Sequence, residues 1–274
     1  MNNDLDDDDE KEEGVPFTAR LMAYYRAQEA KKDSPLLLDP FAERLAGEFT
    51  SYFKRDESFA VNDYPIIRSC YIENHLLIPW CETNSSSQIV ILGAGLDTRA
   101  YRLNPLQSGQ HRIYEVDFPS IIHYKEKILK DELPLCKLKR ISANLSSTDW
   151  ILSLLKSEFS EDIPVFWILE GFAYYIKKEN VIGLLKNLAN ISKKDSKLFI
   201  DICDPVCAEV DFGPFFKHFK WGLTKEEIIS FFSKSGWDIS YFNAEDYSHD
   251  RFVGTDLMTF IHGRKVYTNH EINY

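Results

Sequence analysis

The sequence predicts an α/β protein built on a doubly wound, mostly parallel sheet. Three observations predict it. From about residue 88 short apolar segments alternate with longer helical ones, the first of those segments runs into a glycine turn, and two later ones end in carboxylates. Strands joined through helices pair in parallel, because a parallel pair needs a crossover of a dozen or more residues.

The chain's first residues stand outside this pattern. Between Asp4 and Glu13 lie eight carboxylates and one lysine, so that stretch carries −7 of the formal −11. Without apolar spacing it builds no core, and residues 1–14 read as a disordered acidic tail. Residues 15–274 then form a single domain, with 15–83 a helical N-terminal extension or cap and 84–274 the α/β core. From Val15 to Phe53 the helical pattern is broken by Pro35 and Pro40. A second helix is predicted from Ile66 to Cys81, where Ile67, Cys70, Tyr71, Leu77, Ile78 and Cys81 recur every three to four residues. Asn84-Ser85-Ser86-Ser87 ends it.

Strands follow at Gln88 to Leu92, Arg112 to Val116, Leu138 to Ser142, Pro164 to Leu169 and Lys197 to Ile202. Between them lie helices near Ile121 to Lys130, Trp150 to Phe159 and Glu179 to Ser192, the last with Val181, Leu185 and Leu188 on one face. A helix at Lys225 to Ser235 leads into two further strands, Asp238 to Phe242 and Asp256 to His262. The chain between those two leaves little room for a crossover helix, so they are expected to be an antiparallel pair at the sheet's far edge.

Composition narrows the function. A chain of 274 residues with 44% hydrophobic content can bury one sizeable core. Its acidity and the absence of a lysine- or arginine-rich stripe argue against nucleic acid as a partner. It has neither a signal-peptide h-region nor roughly 18 consecutive apolar residues, so a soluble, cytoplasmic protein with no membrane partner is expected, a monomer or weak homodimer. The five cysteines are scattered and never form a Cys-x-x-Cys pair, and neither a disulfide framework nor a metal site follows from them.

The segment Ile89-Val90-Ile91-Leu92-Gly93-Ala94-Gly95 is a buried strand entering a glycine turn, where the backbone approaches a ligand closely. It lacks the third glycine of a dinucleotide fingerprint and the Gly-Lys-Ser/Thr of a phosphate loop, which disfavours nucleoside polyphosphates. Asp117, about 22 residues on at the end of the next strand, is placed to accept hydrogen bonds from a ribose diol; a helix N-cap is its plain alternative. Glu170 ends the fourth strand at the same sheet edge, where it faces a ligand ammonium or serves a salt bridge.

Four motifs together resemble the leucine carboxyl methyltransferase family, including its bacterial polyketide-type O-methyltransferases. They are Asp39-Pro40-Phe41-Ala42, the run from Ala94 to Leu103, Glu115-Val116-Asp117-Phe118-Pro119, and Glu170-Gly171-Phe172-Ala173-Tyr174-Tyr175. The resemblance covers roughly residues 17–263. It implies a class I methyltransferase (Rossmann-like) fold, a seven-stranded mostly parallel sheet with an antiparallel last strand, whose helical extension closes over S-adenosyl-L-methionine. It implies that Arg68 pairs with the donor's carboxylate, that Gly93, Ala94 and Gly95 pass along its methionine part, that Asp117 binds the ribose and that Glu170 lies near the amino group. Arg20 is a looser candidate for a second carboxylate partner. Where the family usually reads Asp-Leu after its third strand, this chain reads Asn144-Leu145, and the asparagine carbonyl is expected to accept from the adenine amine.

Methyl transfer from a sulfonium relies on alignment and exclusion of water, and a carboxylate acceptor needs no base because it arrives ionised. The seven histidines are dispersed and none sits in a recognised motif, which favours a carboxylate acceptor on a small molecule over a hydroxyl. Tyr175 is the candidate for orienting the acceptor. The aromatic and locally basic run from Phe212 to Trp221 is expected over the acceptor pocket, with a helix packed on the sheet as the alternative. Two other functions stay open: methylation of a protein's C-terminal carboxylate, and non-catalytic binding of the donor. A nicotinamide-dependent oxidoreductase is more distant.

Overall fold

The computed structural model describes residues 15–48, 50, 63–210, 216, 218–251 and 256–265. The acidic tail, and Phe212 to Phe215 with Lys217 in the aromatic run, lie outside the described residues.

All seven predicted strands are present, their ends displaced by three residues or fewer: β1 Ser86–Leu92, β2 Gln110–Asp117, β3 Lys137–Ser142, β4 Val165–Leu169, β5 Lys197–Cys203, β6 Trp237–Asn243 and β7 Met258–Lys265. They form one sheet in the order β3-β2-β1-β4-β5-β7-β6. Strands β1 to β5 run parallel, while β7 is antiparallel to both β5 and β6. The strand β7 therefore enters between β5 and β6, and the predicted antiparallel pair sits at the edge as expected.

Alternation along the central strands separates two apolar layers. Ile89 and Ile91 of β1, with Phe166 and Ile168 of β4, face the N-terminal helices. Val90 and Leu92, with Trp167 and Leu169, face the opposite layer, built largely by α8 (Lys178–Asn190) and α10 (Lys225–Phe232). Strands buried on both faces read as continuous apolar runs, which is why β1 and β4 are legible in the sequence.

The N-terminal extension is helical: α1 Phe17–Glu29, α2 Ala42–Ala46, α3 Tyr64–Tyr71 and α4 Ile78–Thr83. The single helix predicted from Ile66 to Cys81 is instead α3 and α4 joined by a π-helical turn at Ile72–Leu77. Pro79 supplies the reason: it has no N–H to donate and its ring crowds the preceding turn, which widens in response. The helices after β1 are α5 Arg99–Arg102, α6 Pro119–Ile128, α7 Asp149–Leu155 and α9 Val206–Glu209. Among the described residues no helix is long and apolar enough to cross a membrane.

Candidate functional site

The strand order reverses between β1 and β4, and in an open α/β sheet that switch point leaves a crevice at the carboxyl ends of the strands. Here the crevice is a cavity of about 940 Å³ roofed by Pro16, Phe17, Ala19 and Met22 of the N-terminal extension. Arg68, Gly93, Ala94, Gly95, Asp117, Asn144, Leu145, Glu170 and Tyr175, read separately from the sequence, all line it.

The glycine turn forms because β1 ends at Leu92 and the chain then takes positive φ at Gly93 (69°) and Gly95 (48°). The two glycines do different work. A Cβ on Gly93 would stand 2.6 Å from a ring carbon of Phe172, so close packing excludes one. A Cβ on Gly95 would meet no protein atom within 4 Å, so the backbone there faces the cavity directly.

Asp117 fastens this turn from the neighbouring strand. Its Oδ2 accepts the Gly95 amide at 2.7 Å and its Oδ1 the Phe118 amide at 2.7 Å. Burial raises its pKa against the pull of these two amides. It is not the N-cap of α6, a position taken by Phe118 with no side-chain hydrogen bond.

Arg68 lies in the last turn of α3, almost fully buried. Its Nε donates to Glu170 Oε1 at 3.1 Å and its Nη1 to Asp201 Oδ2 at 2.8 Å. Nη2 stands beside Gly171, whose hypothetical Cβ would lie 2.9 Å from it. Two carboxylates thus hold the guanidinium through Nε and Nη1, and Arg68 lines the cavity with Nη2 outside both of these pairs.

Glu170 also receives Ser69 Oγ at 2.7 Å and Arg99 Nη2 at 2.8 Å. Burial opposes its ionisation, but the Arg99 and Arg68 guanidinium groups prevail and hold its carboxyl down at about 2. The salt-bridge alternative for Glu170 is therefore present in the fold. Arg99, 1% exposed, continues the network to Glu73 and Asp97.

Asn144 is exposed and its Oδ1 accepts the Ser146 amide at 2.9 Å, so one lone pair of the carbonyl is already engaged in its own loop. Leu145 beneath it is buried. Tyr175 lies in the short helical turn Ala173–Tyr175, half-buried, its pKa raised by burial. Of the aromatic run, Phe219 packs on Tyr174 with ring centroids 4.0 Å apart and on Tyr175 at 5.2 Å, while His218 and Lys220 line the cavity. Arg20 does not: its Nη1 donates to the Tyr124 hydroxyl at 3.0 Å and its guanidinium covers that ring, away from the cavity lining.

Sequence reasoning missed Asp201 and the tie between extension and turn. Asp201 accepts from Tyr64, Arg68, Tyr174 and the Gly171 amide. Its signal was a carboxylate inside the apolar run Leu198-Phe199-Ile200-Asp201-Ile202, since an acid in a central strand must find partners. Asp39, in the quoted Asp-Pro-Phe-Ala motif, accepts from Arg26 Nε at 2.9 Å and Thr98 Oγ1 at 2.7 Å, while Arg26 Nη2 also donates to Leu96 O at 2.6 Å. The extension is thereby stitched to the loop that follows Gly95.

The chain and its fold find counterparts among known proteins. The family model of leucine carboxyl methyltransferase matches residues 19–189. A protein of Saccharopolyspora erythraea is 30% identical over 198 residues, 69% of this chain and 67% of its own length. One of Mycolicibacterium vanbaalenii is 30% identical over 211 residues, 70% of this chain and 69% of its own. Both are named, provisionally, as S-adenosyl-L-methionine-dependent methyltransferases. The solved structure of a DUF574 family protein from Streptomyces avermitilis shares the fold, with a TM-score of 0.63 and 16% identity over 93% of this chain and 99% of that one. The protein is an S-adenosyl-L-methionine-dependent methyltransferase with a class I fold. It belongs to the leucine carboxyl methyltransferase family.

Proposed function

We propose that this enzyme transfers the methyl group of S-adenosyl-L-methionine to a carboxylate oxygen of a small molecule. What supports a carboxylate is the state of the acids around the cavity. Asp97, Asp117 and Glu170 each already accept from a guanidinium or a backbone N–H. His218, the histidine in the described lining, is exposed at the rim. A phenol, with a pKa near 10, calls for a base on the floor; a carboxylic acid, near 4, arrives ionised.

The donor fits the residues present. Arg68 would meet its carboxylate through Nη2, Gly93, Ala94 and Gly95 would pass along its methionine part, and Asp117 would accept from the ribose diol. Asn144 and Leu145 would take the adenine, and Glu170, kept ionised, would face the ammonium. When bound, the donor supplies an electrophilic methyl on a sulfonium. Tyr175 would orient the acceptor, and the roof from the N-terminal extension would keep water out. A cavity of about 940 Å³ is at the upper end of small-ligand sites and has room for a donor and a second small molecule.

The test is transfer from methyl-labelled donor to a panel of aromatic and aliphatic carboxylic acids and the matching phenols. Base treatment of the product releases labelled methanol from an ester and leaves an ether intact. Base-stable label would overturn the carboxylate assignment, and label recovered on a protein C-terminus would replace the small molecule with a protein acceptor.

A further inference from the structure

The arginines and lysines lining the cavity fall into two sets. On the floor Arg68, Arg99 and Arg102 each lie against carboxylates, and Arg26 of the extension's helix α1 is held by Asp39. On the rim Lys177 and Lys220 are exposed and, among the described residues, neither has a carboxylate partner. Some lysines elsewhere pair, as Lys31 does with Glu43 and Lys225 with Asp256, and others, such as Lys130 and Lys156, have no carboxylate partner among the described residues; Lys177 and Lys220 are set apart by lining the cavity.

Two hydrogen bonds set both lysines on one rim. The Lys220 amide donates to Tyr174 O at 2.8 Å, and Trp221 Nε1 donates to Ile176 O at 2.7 Å. The chain after β4 and the chain before α10 are thereby laced together, at Lys220 itself and at Ile176, the residue before Lys177. Phe172, Tyr174, Tyr175 and Ile176 also line the cavity and give this side an apolar wall. A cation left unpaired at the mouth of an apolar-walled cavity attracts an anion more strongly than one on an open surface, because the wall lowers the local dielectric.

We propose that the acceptor carries a second anionic group, separate from the oxygen that receives the methyl, and seats it on Lys177 and Lys220 while an aromatic or apolar body lies along the Phe172 and Tyr175 wall. This rests on the acceptor assignment above. The two groups are separate because the donor's methionine part is assigned to the turn at Gly93 to Gly95, whereas both lysines are exposed at the rim. The acceptor class is then an amphipathic aromatic acid with two acidic functions, rather than a neutral phenol or a simple fatty acid.

The experiment uses the full chain saturated with S-adenosylhomocysteine and two fluorescent probes of one aromatic body, 8-anilinonaphthalene-1-sulfonate and uncharged N-phenyl-1-naphthylamine. Two rim charges give a roughly tenfold preference for the sulfonate, declining with added salt. In the double variant Lys177→Gln, Lys220→Gln the preference is expected to fall to about threefold or less, with the affinities for the uncharged probe and for S-adenosylhomocysteine unchanged. Parity in the unmodified protein, no binding of either probe, or a preference that survives the double variant overturns the proposal. Calorimetry with S-adenosylhomocysteine alone keeps the failures distinct: lack of binding there strikes at the donor site, while binding with probe parity strikes only at the rim.

Discussion

Asp201 Oδ2 accepts a hydrogen bond from Arg68 Nη1 at 2.8 Å, and its other oxygen takes the Gly171 amide at 2.7 Å. One acid thus fixes both the proposed partner of the donor carboxylate and the backbone beside it. Replacing Asp201 with asparagine keeps the shape and removes the charge. Binding of S-adenosylhomocysteine should weaken by roughly tenfold or more, as for truncating a buried charged pair. Binding of 5′-methylthioadenosine, which lacks the amino-acid carboxylate, should change less than about threefold. Equal losses for both ligands in calorimetry would reduce Asp201 to a purely structural role. Arg68→Ala is expected to cost about 2–4 kcal/mol in S-adenosylhomocysteine binding.

The two turn glycines separate stability from binding. Gly93→Ala places a Cβ 2.6 Å from the Phe172 ring at φ 69°, so a melting experiment should show a loss of about 1–3 kcal/mol. Gly95→Ala meets no protein atom and is expected to lose only about 1 kcal/mol from its positive φ, yet to weaken the donor product at least about tenfold because the methyl enters the cavity. A Gly95→Ala protein that binds normally would remove the donor from that stretch of backbone.

Glu170 makes stability depend on pH in the acid range. Its folded pKa of about 2 lies below the ordinary 4.5, so its contribution is fully present above 4.5 and is lost as pH falls toward 2. That shift corresponds to about 3 kcal/mol. In urea unfolding the gap between the unmodified protein and Glu170→Gln should be widest near neutral pH and narrower by roughly 1 kcal/mol at pH 3.5. A gap that stays constant would show that the guanidinium pair does not depress the acid.

Asn144→Asp restores the residue usual in the family. The carboxylate can keep the Ser146 amide on one oxygen and offer the other, with charge, to the adenine amine. Affinity for S-adenosylhomocysteine should rise about twofold to fivefold, whereas Asn144→Leu should lower it. No change in either variant would place the adenine elsewhere.

How much of this was legible beforehand differs by residue. Gly93, Asp117 and Glu170 were readable because each follows an apolar run long enough to define a strand, and strand ends meet at a sheet edge whatever the loops do. The π-helical turn leaves no mark in the periodicity, although Pro79 is in the sequence, because three-to-four-residue spacing tolerates one widened turn without losing its face. Arg20 and Arg68 were both arginines in the extension, and periodicity alone could not separate them. Only their surroundings do: Tyr124 takes one away from the cavity, while Asp201 and Glu170 hold the other in its wall.

By itself the sequence determined the alternation of strands and helices, the turn at Gly93-Ala94-Gly95 and the acids at two strand ends, because these follow from local periodicity and backbone sterics. Tertiary structure decided which charges are satisfied. Asp201 lies 133 positions from Arg68 and Glu170 lies 102, and ion pairs between residues so far apart exist only once the sheet order is set. Among the described residues the same closure leaves Lys177 and Lys220 at the cavity rim without a carboxylate partner, an outcome of long-range charge pairing that no local pattern encodes.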